Sequence, residues 1–266
     1  MKTSLPSFLV DADDPDPARS GPYDAPTADE DLWFLPGPDE DLDPDPFAPP
    51  LPRAPRAVLF DLGEWQAAEV ALVRPLTDLA LDLGRLIERV EAMGPHARLR
   101  LAQAEAASMS WWTGDRIAPD RIALWQALRI GATGDDSAAL VRTAWAARRL
   151  AAPQPGEQGG AGAIAAHLGF EADLPPGLIE DFADLLPPPD QIGPVTRGCL
   201  AFHLWRALEE RPPHLRDIEA AVLGARLGPA GPALGFLPLS LAGLRALTCS
   251  GPALRRLEGW IAGVHD

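Results

Sequence analysis

Thirty prolines in 266 residues set the limits on what this chain can fold into, because each one fixes φ and removes an amide donor. Inside a sheet a proline costs a ladder hydrogen bond, and inside a helix it breaks the i→i−4 pattern, so the prolines mark where elements start and stop. Past residue 56 the prolines fall between apolar stretches of helical length. Pro119 and Pro194 sit where a first helical residue belongs, a position whose donor would be unsatisfied anyway. After Pro75, Leu76, Leu79, Leu83, Leu86, Val90 and Met93 recur at steps of three and four, which puts them on one helical face. Gly94 and Pro95 end that run.

The same reading predicts helices over 97–112, closed by Thr113 and Gly114, and over 119–130. The next is capped by Asp135 or Asp136 and carries Leu140, Val141, Ala144, Trp145 and Arg148 at helical spacing. Shorter helices are expected at 163–168 and 177–186, then longer ones at 194–210, 214–227, 239–248 and 252–264, with Ser250 capping the last. The run RAVLF at 56–60 reads as one strand or as the lead-in to a helix. Strand signals are otherwise nearly absent. The expected fold class is all-α.

Charge and proline separate the first 56 residues from the rest. They hold 13 acidic and 4 basic side chains and 13 prolines, whereas the remaining 210 residues carry only −6 of the total −15. Repulsion, proline and scarce apolar groups leave 1–56 without the means to offset ordering entropy, so it is expected to be a solvated tail. Residues 57–266 are long enough for one domain with a sizeable core, with a possible sub-boundary at the Pro/Gly-rich loop 152–162.

Of 23 basic residues, 22 are Arg, Lys2 is the single lysine, and no Asn occurs anywhere. Lys and Asn have AT-rich codons, so a GC-rich, bacterial origin is inferred. The long uncharged run from Leu227 to Leu244 is interrupted by Gly and Pro and cannot make a continuous spanning helix. Two cysteines, Cys199 and Cys249, form no framework, and no apolar leader with a basic flank opens the chain. A cytoplasmic protein with no membrane segment is expected.

Several constellations invite a chemical reading. Cys199 and His203 are four apart on one expected helix, with His214 and Cys249 further on, which are zinc-ligand types. No paired-cysteine spacing supports a site, so a buried thiol and ordinary histidines are expected, with no metal and no cofactor. Gly160-Ala-Gly162-Ala-Ile-Ala165 fits a relaxed dinucleotide fingerprint, yet that motif acts only between a strand and a helix, and a Pro/Gln/Gly linker precedes it here. Arg142, Arg148 and Arg149 cluster on one helix beside Trp145. Such a cluster can contact phosphates, although on so acidic a chain a solvated face is the commoner meaning. Trp111 and Trp112 are adjacent at a helix end, so one indole is expected in the core and the other toward solvent, where it can serve a partner.

Leu83-Gly84-Arg85-Leu86, followed by Glu105-Ala106-Ala107-Ser108 through Thr113-Gly114 and the helix after it, resembles the N-terminal half of Fic-type proteins. The chain is more similar still to uncharacterised, often plasmid-borne bacterial proteins that pair this region with a C-terminal helix-turn-helix. The resemblance covers about 74–150 and 195–248, and no helix-turn-helix is expected after Thr248. It implies a Fic-like multi-helix domain. Fic enzymes transfer AMP from ATP to a protein hydroxyl with a motif of the form H-P-F-x-D-G-N-G-R. The corresponding segment, 207–219, keeps His214, Asp217 and Glu219 but lacks the glycines and the Asn, and Pro212 and Pro213 remove backbone donors. Thr113 stands where the family's inhibitory Glu would be.

What the resemblance implies is therefore a non-catalytic interaction or regulatory protein with a protein partner, its interaction candidates being Trp111, Trp112, Arg142, Arg148 and Arg149. Two other readings stand beside it. One is a divergent nucleotidyl transferase using His214 and Asp217; the other is a DNA- or transcription-associated regulator, for which direct duplex binding is not expected from so acidic a chain.

Overall fold

The computed structural model describes residues 60–128, 136–152, 160–169, 174–228, 234–246 and 250–265. All of them fall in the second of two units, 54–266; the first is 1–53. The expected tail at 1–56, the bulk of RAVLF, residues 153–159 of the loop, and Cys249 lie outside the described residues.

Among the described residues every regular element is a helix: α1 Leu62–Ala71, α2 Val73–Met93, α3 Pro95–Thr113, α4 Pro119–Leu128, α5 Asp136–Ala151, α6 Ala161–Leu168, α7 Leu178–Leu185, α8 Pro194–Leu208, α9 Pro213–Leu227, α10 Ser240–Ala246 and α11 Ala253–His265. The all-α reading holds for them. The helix the sequence reading missed is α1, which starts because extended Asp61 accepts the Gly63 amide at 2.8 Å. Helix α8 stops two residues short of the expected 210, since Glu209 turns to an extended conformation. The N-terminus of α11 takes a partner from elsewhere than Ser250: the carboxylate of Glu64, on α1, accepts the Ala253 amide at 2.8 Å.

The core is built around α8 and α9. Nearly every residue of α8 from Thr196 to Trp205 is buried, as is α9 from Ile218 to Leu227, so neither helix has a polar face and both must be enclosed. They run antiparallel at close range. A Cβ on Gly198 would lie 2.6 Å from the Gly224 carbonyl oxygen, and one on Gly224 would lie 2.8 Å from the Trp260 ring. Trp205, Trp260, Trp65, Phe202 and Phe182 fill the space around this hairpin. Helices α3 and α5 pack on α9, α7 and α11 on α8, and α1 lies against α11.

Candidate functional site

The segment the resemblance singles out is the turn from α8 to α9. His214 stands exposed on the first turn of α9. Asp217, one turn further, is held at 2.9 Å by Arg206 Nε and at 3.2 Å by Arg216 Nε. Arg211 spans two carboxylates, with Glu219 at 2.5 Å and Glu209 at 3.0 Å, and the Trp205 indole donates to Glu219 at 3.2 Å. Burial lifts the Glu219 carboxyl to about 7 against the pull of Arg211 and Trp205, with Glu209 alongside adding to the rise. Pro212 is the N-cap of α9 and Pro213 its first residue, so the amide donors that help make a helix N-terminus an anion site are missing at those two positions. At this turn Arg206, Arg211 and Arg216 are engaged with Glu209, Asp217 and Glu219.

The two adjacent indoles separate as helix geometry requires. Trp112 packs on Phe202, ring centroids 6.2 Å apart, while Trp111 is 49 % exposed with the Arg116 guanidinium 5.8 Å from its ring. The three arginines of α5 do not form the single basic face expected of them. Arg142 pairs with Asp115 at 2.9 Å. The Arg149 guanidinium lies against Gly169, at the end of α6, on the side where the Trp145 indole donates to the Leu168 carbonyl. Arg148 points elsewhere, into a groove. Residues 142 and 149 are two turns apart and share a face, whereas 148 is rotated about 100° from 149.

That groove lies between α3, α4 and α5, with a volume of about 540 Å³, and is lined by Leu99, Trp125, Gln126, Val141, Ala144 and Arg148 among others. Gln103 donates to Gln126 at 2.9 Å, and Gln126 to the Ala144 carbonyl at 3.4 Å, so polar links tie the three helices together. Leu99 and Val141 remain 40 % and 48 % exposed. Sequence reasoning placed Val141 on an apolar helical pattern and did not find the groove. The signal was faint: one apolar position per helix set off the core-facing stripe.

Cys199 is fully buried, its thiol pushed well above its ordinary range by burial despite nearby Arg256. His203 packs against Trp65 and Phe202 and is lowered to about 3, by burial first and then by Arg256 and Arg206. It is thus neutral, but His214 lies exposed at the far end of the hairpin, and among the described residues no group of three His, Cys, Asp or Glu side chains is placed to hold a metal ion. No helix among them is long and apolar enough to cross a membrane. Gly160 precedes α6 in an extended conformation, and the residues that lead into it, 153–159, lie outside the described residues.

The fold is thus an α-helical domain enclosing a buried helical hairpin. Compared with known proteins, the chain matches no family model, no curated protein and no solved structure.

Proposed function

We propose that this chain is a non-catalytic interaction or regulatory protein on a Fic-like helical scaffold, working with a protein partner in a bacterial cytoplasm. The observation that supports this most is the turn between α8 and α9. Phosphoryl transfer depends on positioning and on neutralising charge, and here Asp217 is committed to Arg206 and Arg216 while Arg211 is committed to Glu209 and Glu219. A triphosphate brought to His214 would meet carboxylates and two prolines. The interaction half of the reading draws support from exposed apolar groups that the core leaves uncovered, Trp111 and Val141 among them.

A ligand that binds only the native state stabilises it by about 2.7 kcal/mol when present at about a hundred times its dissociation constant, and so raises the thermal midpoint. Millimolar ATP with Mg²⁺ is expected to leave the midpoint of the full chain unmoved. A rise of about 4 °C or more, lost in His214→Ala, would restore the transferase reading.

A further inference from the structure

We propose that the groove between α3, α4 and α5 receives an acidic amphipathic segment of a partner protein, apolar side chains against Leu99, Trp125 and Val141 and a carboxylate against Arg148. The inference rests on the reading above, that the chain works by binding protein. Leu99 of α3 and Val141 of α5 are among the large apolar side chains left 40 % or more exposed, and half-buried Trp125 of α4 lines the trough with them. An open, mainly apolar trough of about 540 Å³ suits a few side chains projecting at helical spacing, the mode in which one amphipathic helix lies in a groove made by others.

Charge selects the partner. The whole chain is −15, yet α3, α4 and α5 together carry six arginines against Glu105, Asp120 and Asp136. Glu105 does not face solvent at all, being buried and bonded to the amides of Leu239 and Ser240. Arg142 is answered by Asp115. Arg148 meets no carboxylate among the described residues, and its charge bears on Arg149 next to it. Of the six arginines, Arg148 is the one that lines the groove, and on a chain of net −15 an acidic segment is drawn to that arginine and kept from the rest of the surface. Duplex DNA and anionic membranes share the sign but not the fit, because their affinity grows with the number of phosphates or headgroups neutralised and a single arginine in an apolar trough offers one contact.

The test is a display library of random peptides, three helical turns long, selected on the immobilised full chain. Enriched peptides are then synthesised with a fluorophore and titrated by anisotropy. The expected result is enrichment of acidic peptides with apolar residues at i, i+3 or i+4, and i+7. Their affinity should fall by about tenfold or more in Val141→Glu, and fall in Arg148→Glu with recovery when the peptide's carboxylate is changed to Arg. Both positions are exposed, so an unchanged helical signal and thermal midpoint show that the variants are folded. No enrichment, enrichment of basic peptides, or binding indifferent to both variants overturns the proposal, as does binding of anionic vesicles or duplex DNA lost in Val141→Glu. A peptide bound elsewhere removes this site and leaves the interaction reading standing, whereas ATP-dependent labelling removes that reading itself.

Discussion

A carboxylate taken wholly out of water has to be answered by donors or hold its proton. Glu105 does some of both: its oxygens accept the amides of Leu239 at 2.8 Å and Ser240 at 3.2 Å, while burial still lifts it to about 7. The bond ties the middle of α3 to the start of α10, 134 residues along the chain. Arg226 and Arg197 act likewise, donating to the carbonyls of Gly235 at 2.6 Å and Pro187 at 2.8 Å. None of these ties was legible in sequence, where Glu105 is one charged residue in an alanine-rich helix and its partners are main-chain groups of distant segments. The sign of its pH dependence follows from the raised value. Folding strengthens proton binding, so the stability Glu105 adds is fully present below its unfolded value of 4.5 and is lost as pH rises through about 7. Between pH 5 and pH 8 that loss is on the order of 2 kcal/mol. Urea unfolding of the protein and of Glu105→Gln at those two pH values should show their stability difference change by this amount. A difference that stays constant would mean the buried carboxyl does not titrate differently on folding.

At the scale of helices, legibility followed amphipathicity. The stripe read from Leu76 to Met93 packs through Leu79, Leu83 and Val90, which are buried, whereas Met93, its last position and the last residue of the helix before Gly94, is 69 % exposed. Helix α1 escaped notice because LGEWQAAEVA has little periodicity, though Asp61 with Glu64 three residues on is a recognisable start signal. Helices α8 and α9 were found, but being buried all round they gave no stripe to say which neighbours they face. Their glycines acquire meaning only from the pairing. Gly84, on the outer part of α2, has nothing within 4 Å of an added Cβ, whereas Gly224 has Trp260, the Gly198 carbonyl and Phe202 within 3.0 Å. Gly84→Ala should therefore stabilise by about 0.5–1 kcal/mol, and Gly224→Ala should destabilise by about 1–3 kcal/mol as α8 and α9 are forced apart. Denaturant midpoints of the two variants check this, and shifts of the same sign would contradict the packing described.

For the whole molecule, the charge visible in sequence gave the broad expectation of a chain ill-suited to duplex DNA, and the helical content gave the fold class. The site was less accessible. His214 and Asp217 could be singled out from the resemblance alone, but only the folded turn shows Arg206, Arg211 and Arg216 engaged with Asp217, Glu209 and Glu219. The groove was hidden for a different reason: Leu99, Trp125 and Val141 come from three helices, and no local pattern brings them together. Both features belong to one account, in which a helical scaffold carries a binding surface and no phosphate chemistry. The most direct measurement of that claim is incubation of the full chain with radiolabelled ATP, Mg²⁺ or Mn²⁺ and host lysate. The account predicts no protein labelled above a blank lacking the chain; labelling that appears with the chain and disappears in His214→Ala would contradict it.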